Sequence, residues 1–217
     1  MSALTAQQLL RAYAAGVFPM ARHRNDPDLE WIDPTERGIL PLDGFHLPRS
    51  LRRTIRRGRF QATCDTAFER VMRACAEPTP ARPETWINER ILDLFGELHR
   101  AGRAHSVETW LDGRLVGGLY GLAMGGAFFG ESMFSRAEDA SKVALVYLVA
   151  QLRRGGFVLL DTQFLNDHLA RFGAVEVARW RYHAMLAEAL QRRAVFYGDL
   201  PPDPLAELST QSTTQMS

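Results

Sequence analysis

The alternation of apolar and polar positions divides the chain into a short irregular beginning and a longer, regular remainder. Residues 5–8 form a T-x-x-Q capping box, and Leu9, Leu10 and Tyr13 fall on one helical face. The first element is therefore a helix, stopped at Gly16. Residues 17–48 carry Pro and Asp without a sustained period and are expected to form short strands and turns. A short helix over 49–57 and a strand over 60–64 follow. Asp65 is placed to cap a helix carrying Phe68, Val71, Met72 and Cys75, a Pro-rich loop covers 77–84, and Asn88 caps a helix through Leu98. The strongest β pattern comes next. Strands over 104–111 and 114–124 flank an Asp112-Gly113 hairpin turn, and Gly125-Gly126 leads into a third strand over 127–134. A helix over 139–154, an apolar strand over 157–161, a short helix over 166–171, a strand over 175–178 and a helix over 180–193 complete the pattern. Residues 201–204 are expected to end regular structure, with 209–217 disordered.

This order describes an α+β protein. A small N-terminal α/β domain over 1–62 precedes a mixed-sheet domain over 63–195 and a tail over 196–217. Three antiparallel strands followed by helix, strand, helix, strand is a pattern shared by acyl-transferring folds of the GNAT type. With 217 residues, 46% hydrophobic, the chain can build a substantial core. No apolar run approaches a membrane span, and the N-terminus lacks the pattern of a signal peptide. Two cysteines, Cys64 and Cys75, make neither a disulfide scaffold nor a four-ligand zinc site and are expected to be buried thiols. A cytoplasmic monomer is expected, since no heptad or exposed apolar stripe asks for a partner.

The net charge of +1 speaks at first against a nucleic-acid ligand. The distribution changes that. Six arginines lie within 49–59, and no acid occurs from Gly44 to Cys64, so a patch of +6 is joined to a remainder of −5. Such a run can contact several phosphates, or it can be a solvated face paired with acids elsewhere.

Other candidate chemistry is concentrated in two segments. In 127–134, strand alternation places Phe129, Glu131 and Met133 on one face, an apolar wall with a single acid in it. A buried carboxylate is costly without a partner, so Glu131 either binds a cationic group or makes an internal salt bridge. In 159–163, Asp161 ends an apolar strand with Gln163 two positions on, a common place for reactive groups and also for a capping acid. Trp31 and Trp86 lie in loop-like segments, where a tryptophan can stack on a base or close a core. Trp110 and Trp180 are expected to pack. Neither a G-x-S-x-G elbow, an H-E-x-x-H pair nor a phosphate loop is present, so no metal and no cofactor are expected. Residues 135–142 contain no glycine and two acids, a poor cradle for a CoA pyrophosphate.

Several stretches resemble the bacterial leucyl/phenylalanyl-tRNA–protein transferases: LLRAYAAGVFP (9–19), FHLPRSLRR (45–53), AHSVETW (104–110), LVGGLYGLAMGGAFFGESMFS (115–135) and LLDTQFLNDHLARFGA (159–174). The resemblance implies a GNAT-like larger domain. It also implies transfer of Leu or Phe, also Met, from aminoacyl-tRNA to the α-amino group of proteins with N-terminal Arg or Lys. Such products are tagged for N-end rule degradation. By motif match it makes Asp161 and Gln163 the catalytic acid and glutamine, with Glu131 near the reacting amine. Trp31 and Trp86 would hold the 3′ adenosine. Leu119, Phe128, Met133, Leu148, Leu152 and Leu160 would form the pocket for the donor side chain. Arg49, Arg52, Arg53, Arg56 and Arg57 would contact phosphates of the acceptor stem. Departures from the family pattern are visible. The usual FPW reads Phe18-Pro19-Met20, and the usual D-C-Q reads Asp161-Thr162-Gln163, which removes any thiol nucleophile there. Because the donor ester is already activated, the expected chemistry is orientation and deprotonation of an amine, with Asp161 and Glu131 both open as the acid that binds it.

The arginine run generates a direct test. Reversal of Arg52, Arg53 and Arg56 to Glu should weaken tRNA binding and flatten its dependence on salt, measured by filter binding across a salt series. Unchanged affinity would make the run a solvated face only.

Overall fold

The helix at the start of the chain forms as its pattern requires. In the computed structural model, which describes residues 4–26, 28–79 and 83–209, Thr5 accepts a hydrogen bond from the Gln8 backbone and the Gln8 side chain accepts one from the Thr5 backbone. The elements run α1 (Ala6–Ala14), β1 (Phe18–Met20), β2 (Glu30–Ile32), β3 (Glu36–Ile39), α2 (Arg49–Arg56), β4 (Gln61–Cys64), α3 (Phe68–Cys75) and α4 (Glu89–Arg100). They continue β5 (Ala104–Leu111), β6 (Arg114–Met124), β7 (Ala127–Ser135), α5 (Ala140–Arg154), β8 (Leu159–Gln163), α6 (Asp167–Ala170), β9 (Val175–Ala178), α7 (Arg179–Leu190) and α8 (Pro204–Ser209).

A seven-stranded mixed sheet, ordered β4-β5-β6-β7-β8-β3-β9, forms the middle layer. All neighbours are antiparallel except β7 and β8, which run parallel. Strand alternation feeds two cores. Tyr120, Phe129 and Leu159 pack beneath α1, α3, α4 and α7, while Leu119, Phe128 and Leu160 pack beneath α5 with α2 and α8. The hairpin joining β5 and β6 turns at Asp112 (φ 51°) and Gly113 (φ 70°), the left-handed pair that a two-residue turn of this kind needs.

The structure differs from the sequence pattern in five places, one being that Phe129 and Met133, expected on one face of β7, pack into opposite cores because Glu131 is the extra residue where the register shifts against Tyr120 and Gly121. Strand β3 lies within the first 62 residues, yet it is hydrogen-bonded between β8 and β9 of the large sheet; only β1 and β2 form a separate ribbon. Asp65 does not cap α3. It sits at φ 56° and its carboxylate instead accepts from the Ser106 backbone and faces His105 Nδ1 at 2.7 Å. Regular structure does not end at 201–204, because α8 begins at Pro204 and Asp203 accepts hydrogen bonds from the Leu205 and Ala206 backbones. Arg153 on α5 donates to Leu208 O, so this last helix is held against the core. The expected disorder at 209–217 concerns mainly residues outside those described, apart from Ser209, which closes α8. Trp180 does not pack; it is 75% exposed at the start of α7. Cys64 and Cys75 are buried and form no disulfide, as expected. Among the described residues, no helix is long and apolar enough to cross a membrane.

Gly117 in β6 lets α5 approach the sheet. A Cβ there would stand 2.6 Å from the Ala140 Cβ and 2.7 Å from Thr109 Oγ1. Gly117→Ala should therefore lower stability by about 1–3 kcal/mol, seen as an earlier urea midpoint with unchanged slope.

Candidate active site

The site forms where the two parallel strands separate. Strands β7 and β8 are paired from Ala127↔Leu159 to Phe129↔Asp161, and the described pairing stops there. β7 continues along β6, where its register shifts between Tyr120 and Gly121, whereas β8 stays with β3. The fork opens on a cleft of about 950 Å³ between the middle of β7 and the carboxyl end of β8. Its apolar wall is made by Leu119, Met133, Leu145, Leu148, Leu160 and Leu169. A smaller compartment of about 190 Å³ lies beside it, lined by Phe18, Met20, Trp86 and Phe164. Glu131, Thr162, Gln163 and Asn166 line both.

Glu131 stands at this junction. Its Oε1 accepts hydrogen bonds from the Tyr13 hydroxyl at 2.8 Å and from Gln163 Nε2 at 3.2 Å. Its Oε2 accepts none among the described residues. Burial pushes the Glu131 carboxyl up to about 8; the Asp161 charge adds to the rise, while Tyr13, Arg37 and Gln163 oppose it. The Tyr13 hydroxyl is itself held protonated by burial and by the adjoining carboxylate, so it acts as a fixed donor. Gln163 ends β8 with φ 57°, a conformation that costs a non-glycine residue of order 1 kcal/mol or more and is maintained only when its surroundings impose it.

Those surroundings are supplied by Asp161. Its carboxylate is fully buried and lines neither cavity. Oδ1 accepts from Arg37 Nε at 3.0 Å and from the Gln163 backbone at 2.8 Å. Oδ2 accepts from Arg37 Nη2 at 2.7 Å and from the Tyr182 hydroxyl at 2.6 Å. Arg37 is also buried. It donates through Nη1 to Gly16 O, and its guanidinium lies 4.5 Å from the Phe18 ring centre and 4.4 Å from that of Tyr182.

The structure brings Glu131, Gln163, Trp86, Leu119, Met133, Leu148 and Leu160 together at the two cavities. Phe128 and Leu152 stand apart from the cavity walls, fully buried in the core beneath α5. Phe128 belongs to the stretch where β7 and β8 are still paired, and Leu152 lies one turn beyond Leu148, away from the fork. Trp31 is half exposed on β2, opposite Pro19, and lines neither cavity. Of the arginines, Arg49, Arg53, Arg56, Arg57 and Arg59 are exposed and Arg52 is half-buried; none of the six takes part in an ion pair among the described residues. The helix bearing them is pinned by buried Leu51 and by Thr54, which donates to Asp139 at the head of α5. Lys142, the single lysine, pairs with that same Asp139 at 2.7 Å. Tyr13, Arg37, Tyr182, Leu145 and Leu169 are parts of the site that pattern reading did not single out. The signal for Arg37 was present as an arginine separated by Gly38 alone from the apolar run Ile39–Leu40.

Comparison with known proteins decides the family. A family model described as leucyl/phenylalanyl-tRNA protein transferase matches residues 39–187, and its N-terminal domain model matches 2–35, the two parting at β3. The chain belongs to the leucyl/phenylalanyl-tRNA protein transferase family. Proteins named leucyl/phenylalanyl-tRNA–protein transferase are similar over nearly its whole length. The one from Paramagnetospirillum magneticum is 66% identical over 90% of this chain and 94% of its own. The one from Rhodospirillum rubrum is 59% identical over 98% and 99%. The structure of FemX shares the fold, with a TM-score of 0.54 at 13% identity over 78% of this chain and 66% of FemX. The family member described here is thus an aminoacyltransferase with a GNAT-like sheet.

The raised Glu131 pKa has a thermodynamic consequence. The folded protein binds this proton more tightly than the unfolded chain, whose carboxyl titrates near the ordinary 4.5. Stability therefore falls as pH rises from that value through about 8. Glu131→Gln removes the titrating group, so between about pH 5 and about pH 8 the wild type should lose more stability than the variant in urea unfolding. Parallel losses would place the carboxyl in an ordinary, solvated setting.

Proposed function

We propose that the protein transfers Leu or Phe, and also Met, from aminoacyl-tRNA to the α-amino group of proteins beginning with Arg or Lys, in the cytoplasm, so that the products enter N-end rule degradation. The observation that carries the chemistry is Glu131: one carboxylate oxygen is held by two donors and the other is open at the junction of an apolar cleft and an aromatic compartment. The cleft suits an apolar donor side chain against Leu119, Met133, Leu148 and Leu160, with Leu145 and Leu169 completing the wall. Phe128 and Leu152 back this wall from the core. Trp86, with Phe18, Met20 and Phe164, suits the flat terminal adenosine; Trp31, opposite Pro19 on the ribbon face turned away from Phe18 and Met20, stands outside this compartment. Arg49, Arg52, Arg53, Arg56 and Arg57 take the phosphates of the acceptor stem.

In this reading the acceptor arrives as an ammonium group. Glu131 Oε2 accepts one of its protons, and a carboxyl near 8 is well matched to an α-amino group, whose ordinary value is about 8. Gln163 donates through Nε2 to Glu131, which leaves its carbonyl oxygen to orient a remaining N–H of the amine. The neutral amine attacks the ester carbonyl. As the tetrahedral intermediate collapses, the ester C–O bond breaks, a second amine proton passes to the departing 3′ oxygen, and the peptide bond is complete. Glu131 returns its proton to solvent. Asp161, saturated by four hydrogen bonds, supports Gln163 from below and does not touch the substrates.

The test is transfer of Leu from Leu-tRNA to a peptide beginning with Arg, read as a mass gain of one residue. Glu131→Gln should lower kcat by about 100-fold, the size of a lost general base, with donor binding retained. No mass gain with the wild-type protein, or full activity in the variant, would refute this assignment. Parallel reactions with Phe-tRNA and Met-tRNA rank the donors.

A further inference from the structure

We propose that Arg37 is a positioning residue for the transfer reaction, holding Asp161 so that the end of β8 presents Gln163 to Glu131. The inference rests on the reading of this site as the transfer centre. Arg37 is buried and makes three directed hydrogen bonds, two to the Asp161 carboxylate and one to Gly16 O, between the rings of Phe18 and Tyr182. A planar fork matches a carboxylate in two bonds at once, which fixes orientation as well as distance. The oriented carboxylate then accepts the Gln163 backbone N–H, two residues along the same strand. That bond closes the turn in which Gln163 adopts its left-handed backbone, and this backbone aims Nε2 at Glu131.

An independent feature shows how tightly this corner is built. Gly38, next to Arg37, lies against the backbone just beyond Gln163: a Cβ there would stand 2.6 Å from the Phe164 carbonyl carbon and 2.8 Å from the Leu165 nitrogen. The β3–β8 register also shifts between Gly38 and Ile39. Strand β3 is therefore seated on the exit of β8 by two adjacent residues, a side chain that clamps the carboxylate and a glycine that admits the chain. The N-terminal segment reaches the same corner through Gly16 and Phe18, and it supplies Tyr13 to Glu131. Arg37 touches neither cavity, so its effect on the reaction must pass through Asp161 and Gln163.

The experiment compares Arg37→Lys, Tyr182→Phe and the double variant Arg37→Met/Asp161→Met with wild type. It measures kcat and KM for Leu transfer to an Arg-initiated peptide, tRNA affinity, and thermal unfolding. Arg37→Lys keeps the charge and loses the fork; Tyr182→Phe loses one of the four bonds to Asp161. The double variant removes both charges together, a replacement that buried pairs often tolerate without loss of fold. Positioning predicts that the folded double variant binds tRNA as wild type does but has kcat reduced about 100-fold, the scale of an ångström-level misplacement. It predicts a fall of about tenfold in kcat for Arg37→Lys with donor KM little changed. A folded double variant with wild-type kcat would overturn the proposal. If the double variant does not fold, wild-type kcat in both Arg37→Lys and Tyr182→Phe would overturn it equally. Absence of transfer by the wild-type protein would instead remove the functional reading, and this inference with it.

Discussion

The bond between Arg37 and Asp161 joins parts of the chain that are 124 positions apart, and the candidate site is arranged around it. Burying either charge alone is prohibitive, and breaking such a pair by removing one member typically costs about 3–5 kcal/mol. The protein meets that cost with a complete set of partners. Asp161 receives four hydrogen bonds, and Arg37 has its two faces covered by aromatic rings and three of its nitrogens engaged. A burial this deep could have been filled by apolar side chains with no loss of stability. What an apolar pair could not do is dictate the direction of the next two residues of β8. The carboxylate does so, because its Oδ1 has one remaining direction from which to accept the Gln163 amide.

The cavity follows from sheet geometry of the same region. Parallel strands that remain paired leave no space between them, and β7 and β8 are paired for only three residues. Past that point β7 follows β6 and β8 follows β3, so the two strands are drawn to different neighbours. The volume that opens is lined on one side by leucines of α5 and on the other by the middle of β7 and the end of β8. A single carboxylate placed at the head of such an opening is desolvated without being sealed in, which is why Glu131 is both displaced toward neutrality and still reachable.

How much of this could be read in the sequence depends on how local its cause was. The β5–β6 hairpin was legible to the residue because Asp112-Gly113 dictates its own turn and the flanking strands pair with each other. Asn88 was legible as a cap because its partner, the Ile91 backbone, is three residues away. Strand β3 was not. It is four residues long, contains an arginine and a glycine, and is a strand only because residues 161–163 and 175–178 flank it. The capping role expected of Asp65 failed for a similar reason, since its carboxylate is claimed by His105 and Ser106 from a neighbouring strand. Helix α8 is the opposite case. Asp203 followed by Pro204 is a local start signal that pattern reading could have used. At the site, Glu131 and Gln163 were visible as exceptions in otherwise apolar strands and Leu119, Leu148 and Leu160 only through the family resemblance, whereas Tyr13, Arg37 and Tyr182 look like ordinary packing residues until the fold brings Tyr13 to Glu131 and the other two to Asp161.

The distribution of charge completes the physical picture. The arginines of α2 and its flanks find no acid among the described residues, while the one lysine is neutralised by Asp139, the same carboxylate that anchors the helix through Thr54. Positive charge is thus kept available on the helix surface and cancelled at the head of α5, beside the fork. Inside the site the opposite economy applies: Asp161 is matched by Arg37, and Glu131 is held by neutral donors, while Asp167 lines the cleft from an exposed position. Cationic side chains without acidic partners among the described residues thus stand on α2, and burial displaces the Glu131 carboxyl toward neutrality in the interior. That separation explains how a chain with almost no net charge keeps an exposed cationic helix apart from a desolvated carboxyl.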